Sequence, residues 1–194
     1  MEQLGDISMK NTTKFVSVIA FLATVCALVG ISVMGQGKEA KEAAATVEIP
    51  IGAYAPEQPI DYSHKLHAGD LEIPCQFCHT YARRSRSAGI PALEQCMQCH
   101  TLIGRDRDAI KDVVKAYEDK QAIEWVKVHD LPDFVYFDHS RHIKAGFECQ
   151  TCHGPVEQME VLYRHAPLTM GWCVNCHRDN LDKGASVDCL TCHK

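Results

Sequence analysis

The chain has 194 residues, a formal net charge of −5 and 23% charged residues, so it offers no excess of basic residues of the kind that nucleic acid binding requires. Its length allows one ordinary domain plus an appendage. Only 7% of residues are aromatic, against eleven cysteines and eleven histidines; a large core built from Phe and Trp is excluded, and the chemistry is expected at sulfur and imidazole.

Taken from the N-terminus, residues 1–14 are read as a cytoplasmic tail. The next twenty residues, Phe15 to Met34 (FVSVIAFLATVCALVGISVM), carry no charge. As a helix they span about 30 Å, the thickness of the hydrocarbon layer. The run exceeds the about 7–15 apolar residues of a cleaved signal, and its best cleavage site, Val33-Met34-Gly35, is imperfect. A transmembrane anchor is therefore predicted. Lys10 and Lys14 precede it and place the N-terminus in the cytoplasm. Cys26 lies inside the run; Ala23-Thr24-Val25 before it lacks the small residue a lipid-modified cysteine needs, so Cys26 reads as a packing residue. Residues 35–60 read as a linker or strap. Gln36 to Ala45 is Ala-rich and polar, and Ile49 to Ile60 is kept extended by Pro50, Pro56 and Pro59.

From residue 61 to 194 one pattern recurs five times: Cys75-Gln76-Phe77-Cys78-His79, Cys96-Met97-Gln98-Cys99-His100, Cys149-Gln150-Thr151-Cys152-His153, Cys173-Val174-Asn175-Cys176-His177 and Cys189-Leu190-Thr191-Cys192-His193. Ten of the eleven cysteines are consumed by it. Zinc knuckles do not require a histidine directly after the second cysteine, and a disulfide framework predicts varied spacings rather than one spacing repeated. C-x-x-C-H is the attachment pattern of c-type haem: two thiols join the porphyrin edge, and the adjacent histidine reaches the iron as proximal ligand. Five haem c groups are expected, with His79, His100, His153, His177 and His193 as proximal ligands. So little chain per porphyrin leaves no room for an ordinary core. The expected fold is mainly α-helical and irregular, with short motif-bearing helices around a haem-filled core. Attachment of haem c takes place outside the cytoplasm, so the haem domain is expected on the periplasmic side of a bacterial inner membrane, on a single-pass anchor.

The motifs fall into two blocks, His64 to His100 and His139 to His193. Between them Ile110, Val113, Val114 and Tyr117 recur at helical spacing, with Asp106 or Asp108 as the expected cap; this amphipathic helix is expected to pack on haem. Ile123 to Phe137, broken by Pro132, reads as extended. Arg83, Arg84 and Arg86 form a basic cluster suited to a partner, to propionates or simply to solvent.

Five irons need five distal ligands if all are six-coordinate. Each block opens on a histidine pair, His64-Lys65-Leu66-His67 and His139-Ser140-Arg141-His142. Residues three apart on a helix point in neighbouring directions, so one pair can serve two irons and hold their porphyrins close. These four are taken as distal ligands. For the fifth, Met170 is favoured, with Met159, His165 and His129 as alternatives; a thioether would raise that haem's potential. No open iron position is marked, so the chain is read as an electron carrier rather than an enzyme, with no catalytic residue.

The paired histidines ahead of a CxxCH resemble those of the class III multihaem cytochromes. That resemblance implies that the first histidine of a pair serves the following haem, so that His64 would ligate the haem of Cys75 and Cys78, and His139 that of Cys149 and Cys152, with His67 and His142 reaching other haems. The stretches PIDYSHKLHAGDLEIPCQFCH (59–79), LPDFVYFDHSRHIKAGFECQTCHGPVEQM (131–159) and PLTMGWCVNCHR (167–178), with five motifs and one anchor, are similar to the pentahaem cytochrome c subunit of alternative complex III. The resemblance covers about residues 60–194. It implies a membrane complex that oxidises quinol in polytopic subunits and passes electrons by iron–sulfur and haem centres to a monohaem cytochrome or terminal oxidase. The partners implied are an iron–sulfur or molybdopterin-like subunit, the polytopic quinol-binding subunits and a monohaem cytochrome c. Two other readings stay open: a free-standing anchored cytochrome that acts as a quinol dehydrogenase, and a small multihaem reductase.

Overall fold

The structure, a computed structural model, describes residues 45–194. The cytoplasmic tail, the anchor expected at Phe15–Met34 with its Cys26, and the Ala-rich stretch up to residue 44 lie outside the described residues. Among the described residues no helix is long and apolar enough to cross a membrane.

Short helices alternate with irregular chain: α1 (Cys75–Cys78), α2 (Leu93–His100), α3 (Asp108–Glu118), α4 (His139–Lys144), α5 (Gln150–His153), α6 (Met170–Arg178) and α7 (Cys189–Cys192). A π-helical turn, Lys65–Asp70, and two 3₁₀ turns, Val156–Gln158 and Leu181–Lys183, complete the regular structure of the described residues. The CxxCH motifs lie on α1, α2, α5, α6 and α7. A short helix suits them because its tight rise brings the two thiols to one edge and turns the following imidazole towards the same side. Local chemistry starts these helices: Thr169 Oγ1 accepts from Trp172 N (3.3 Å) ahead of α6, and Asp188 Oδ1 accepts from Leu190 N (2.8 Å) ahead of α7. Pro74, extended at ψ 141°, precedes α1.

Helix α3 lies where the apolar spacing predicts it, but its start differs. Arg107 occupies the cap position without a side-chain bond, so neither Asp106 nor Asp108 caps the helix; Asp108 instead pairs with Lys111 at 2.7 Å inside the first turn. The buried face of α3 is given to α2, the helix of the second motif. Val113, Met97 and Ile60 form a small core flanked by Leu93, Cys96, Ala109, Val114, Ile123 and Trp125, while Tyr117 stays exposed. Burying a side chain such as Val113 contributes about 1.5–3 kcal/mol, and this cluster is what holds α2 in place. Elsewhere Met159, Tyr163 and Ala166 are enclosed. Such side chains are few for 150 described residues.

The proline-rich strap is laced to its own chain. Gln58 behaves like a strand partner: its Nε2 donates to Val126 O and its Oε1 accepts from Val126 N, both at 2.9 Å. Val47 N donates to Gln158 O and Arg164 N to Tyr54 O, each 2.9 Å. The segment 123–137 is irregular, as its proline requires, and ends in one isolated antiparallel bridge between Val135 and His193.

Candidate functional site

The two paired-histidine segments share more than their histidines. Tyr62 and Phe137 stand two residues before the first histidine of each pair. Tyr62 stacks on His67 (centres 4.6 Å, planes 16°) and meets His64 edge-on (4.8 Å, 82°). Phe137 stacks on His142 (4.5 Å, 26°) and meets His139 edge-on (4.8 Å, 88°). Ser63 and Asp138 follow the aromatic residues. Their carbonyls accept from His67 Nδ1 and His142 Nδ1, both at 2.8 Å, and their side chains accept Leu66 N (3.0 Å) and Ser140 N (2.9 Å). The repeated unit is aromatic, Ser or Asp, His, two residues, His. Its wider outline was visible in the sequence as YSHKLH and FDHSRH.

Four further imidazoles are fixed in the same way. His79 Nδ1 donates to Gly89 O (2.6 Å), His100 to Ile103 O (2.9 Å), His139 to Arg86 O (2.7 Å) and His177 to Ser186 O (2.6 Å). A carbonyl only accepts, so Nδ1 carries the proton and Nε2 keeps its lone pair, the arrangement of a histidine prepared to bind metal. His64 and His153 are held near pKa about 4, well below the usual 6.5, first by burial and then by neighbouring imidazoles: His79 foremost for His64, His129 and His139 for His153. They are neutral at physiological pH, the form a metal requires. His64 Nδ1 is buried without a partner.

The rings meet in twos. His67 and His100 have centres 6.2 Å apart, His139 and His153 6.2 Å, and His142 and His177 5.9 Å. With a metal–nitrogen bond of about 2.0 Å and about 1.1 Å from nitrogen to ring centre, two imidazoles on opposite sides of one ion lie about 6.2 Å apart. Among the described residues no three His, Cys, Asp or Glu side chains gather as a ligand set for a bare ion. All ten motif thiols are free. Imidazoles paired at this spacing beside paired free thiols fit a covalently held haem: the thiols would attach it and the imidazoles would bind its iron.

The motifs also follow one another in space. Besides burial, which raises Cys78, its charge neighbours are Cys96, Cys75 and Cys99, tying the first motif to the second. The strongest influence on the Cys75 thiol is Cys149, and on Cys149 it is Cys75, tying the first to the third. Cys152, raised by burial, next feels Cys176 and Cys173; Cys173, again after burial, feels Cys192. The spatial order is second, first, third, fourth, fifth.

Among the described residues His79 and His193 belong to none of these ring pairs; Phe134 stacks beside His193 (5.8 Å, 29°). Of the candidates for a fifth distal ligand, Met170 opens α6 and is 71% exposed, whereas Met159 is fully enclosed by the chain's own atoms. His165 is exposed and lies against Gly154. The ring of His129 is 4.4 Å from that of His153, too close for an ion between them, and its Nε2 is buried without a partner. The basic cluster is exposed. Arg83 bonds Gln76, and Arg84 and Arg86 lie over the rings of Tyr81 and Tyr136 at 5.8 and 4.3 Å.

Comparison with known proteins divides the chain where the sequence does. Residues 38–131 match the class III cytochrome c family and residues 135–194 match cytochrome c7 and related cytochrome c. A relative of known role, the multihaem cytochrome c subunit of menaquinone reductase from Nitratidesulfovibrio vulgaris (strain Hildenborough), is 27% identical over 162 residues, covering 71% of this chain and 77% of that protein. With the motif series and the facing imidazoles, these matches give the chain the class III-like fold of a multihaem cytochrome c, a helical and irregular framework with covalently bound haem c.

Proposed function

We propose that the chain is a five-haem electron relay in a membrane complex that works on quinone, and within that class the haem subunit of alternative complex III. The observation that carries the relay reading is the continuous series of motifs, each adjoining the next, with facing imidazoles at the spacing of one shared iron. Haem c supplies one-electron iron chemistry at each position. The chain's own carbonyls fix six of these imidazoles, those of His67, His79, His100, His139, His142 and His177, leaving Nε2 free of a proton, and the fold brings successive motifs close together.

Three ring pairs support the proposed ligand scheme. His67 and His100 serve the second haem, His139 and His153 the third, His142 and His177 the fourth. His64, whose foremost charge neighbour is His79, completes the first. Met170, one helical turn before Cys173, whose charge neighbour is Cys192, is the proposed sixth ligand of the last. Each paired-histidine segment thereby spans two irons. The anchor Phe15–Met34 would hold the relay at the outer face of the cytoplasmic membrane, beside polytopic quinol-binding subunits, an iron–sulfur subunit and a monohaem cytochrome c.

A second reading has the relay running towards quinone, as the name of the Nitratidesulfovibrio relative suggests. One experiment separates the two. The complex is extracted in mild detergent and its haem spectra are followed after adding either menaquinol or a reduced monohaem cytochrome c. Reduction by menaquinol, with onward transfer to oxidised cytochrome, supports the quinol-oxidising reading; haem oxidation by menaquinone with net quinol production supports the other. A chain that migrates alone on a native gel refutes both.

A further inference from the structure

We propose that the turn Pro50–Ala53, tipped by Ile51 and flanked by Ile49, inserts into the bilayer interface and is a second membrane contact of this chain. The inference rests on the anchor proposed at Phe15–Met34 and adds to it a contact made by the haem domain itself.

From Ile49 to Pro56 the chain reads IPIGAYAP, an uncharged run bounded by Glu48 and Glu57. Ala53 N donates to Pro50 O (3.0 Å), and Gly52 has φ +79° with no atom within 4 Å of where a Cβ would stand. This is the type II pattern of turn, with Ile51 at its corner. Corners favour Gly, Pro, Asn, Asp and Ser, which suit the backbone or cap it in water. Ile51 is instead fully exposed (106%), with Ile49 45% exposed beside it. An apolar side chain gains nothing in water at such a corner; it is stabilised only where apolar surroundings receive it. The turn is also held out from the body at both ends. Val47 N donates to Gln158 O before it, and Arg164 N donates to Tyr54 O after it, both at 2.9 Å.

What stands behind the tip is what a bilayer interface selects. Tyr54 follows the turn directly, and the Arg164 guanidinium lies 5.2 Å from its ring centre. Both line a cleft with Lys127, which pairs with Asp130 at 3.3 Å, and with Asp133. Isoleucine reaches the acyl chains in such an arrangement, while the tyrosine ring and the guanidinium stay at headgroup level. Residues 35–48 alone separate the proposed anchor from Ile49, a reach of at most about 50 Å when fully extended. For a chain tethered so close, the second contact is intramolecular, and a small apolar tip suffices. A partner protein would need about 800 Å² on each side, far more than two isoleucines offer. Because the turn is bonded to Gln158, just after the third motif, insertion sets that flank of the relay towards the membrane.

The test uses the haem-loaded full chain in its own membranes, carrying either Ile51→p-benzoylphenylalanine or, at an exposed position of α3, Tyr117→p-benzoylphenylalanine. Mass spectrometry identifies what each photoreactive side chain captures on illumination. Phospholipid adducts at position 51, several-fold above those at position 117, support the proposal. Capture of another subunit at position 51, no adduct there, or equal lipid yields at both positions overturns it. With the photoreactive residue at Tyr54 instead, Ile49→Asp combined with Ile51→Asp is expected to lower lipid capture about tenfold, because ionised side chains are excluded from hydrocarbon. An unchanged yield overturns the proposal. Haem is counted by pyridine haemochrome, and where the Asp variant loses haem, Ile49→Ser with Ile51→Ser, read in the same way, decides. Alkaline carbonate extraction tests the anchor separately: a chain that carbonate releases refutes the anchor, and the adduct at position 51 then decides the turn by itself.

Discussion

The imidazoles of His139 and His153 face each other at 6.2 Å with planes only 5° apart, whereas those of His67 and His100, at the same separation, are turned by 67°. The difference is electronic as well as geometric. Parallel imidazoles raise the same iron d orbital and split the pair of π-type orbitals; crossed imidazoles raise both and leave them nearly equal. The third haem should therefore give a rhombic low-spin EPR signal and the second a strongly anisotropic one with a larger maximum g value, with the fourth (42° between His142 and His177) in between. Power-saturation and redox-poised EPR on the intact protein checks this; one uniform class of signal would contradict it.

Removal of a distal imidazole should be local. His67→Ala is expected to turn the second haem high-spin and His142→Ala the fourth, because each ring is paired with one motif histidine, His100 and His177 respectively. Covalent attachment survives, since the thiols are untouched. Resonance Raman spin-state bands, with mass spectrometry for haem count, provide the measurement. A variant that stays wholly low-spin would remove that histidine from the ligand set.

The two methionines should separate cleanly. Met170→His exchanges an exposed thioether for an imidazole. It is expected to lower the potential of the last haem by a tenth to a few tenths of a volt, on the order of a fraction of the about 0.8 V that axial ligands command. Met159→Ala empties a fully enclosed site and should cost about 2–5 kcal/mol in stability with no change in the visible spectrum. Potentiometric titration and thermal unfolding, run on both variants, make the comparison.

Gly154 is required by its neighbour. Its φ is +71°, and a Cβ there would stand 2.5 Å from His165 Cγ and 2.7 Å from Nδ1. Gly154→Ala therefore combines backbone strain of about 1–3 kcal/mol with displacement of the His165 ring. Thermal unfolding of the loaded protein should shift down by about 5 °C or more; an unchanged midpoint would show that His165 moves aside at no cost.

Much of this site is legible in the residues. The motifs name the cysteines and histidines proposed to hold haem, the doubled HxxH offers four further candidate ligands, and the apolar spacing of Ile110, Val113 and Val114 gives α3. What escapes is whatever depends on contacts between distant residues. His67 meets His100 and His142 meets His177 across tens of residues, and no local rule encodes which imidazole faces which. The carbonyls of Gly89, Ile103 and Ser186 that orient the rings belong to loops whose side chains say nothing about them. Arg107 takes the cap position of α3 because Asp108 is drawn into the helix by its pair with Lys111. The aromatic residue ahead of each HxxH was on view at Tyr62 and Phe137, but its meaning needs the ring planes.

Ile60, Met97 and Val113 are a slender core for so long a stretch of chain. A polypeptide with that little apolar surface of its own does not recover the entropy of ordering its backbone. In the proposed location outside the membrane, the chain would cross as an unfolded thread before haem arrives. The facing imidazoles lie within one block each, His67 with His100, then His139 with His153 and His142 with His177. The first block can close on its cofactors while the second is still being delivered. Folding there would be vectorial, its order set by emergence across the membrane, and the attachment of each porphyrin would in effect catalyse it.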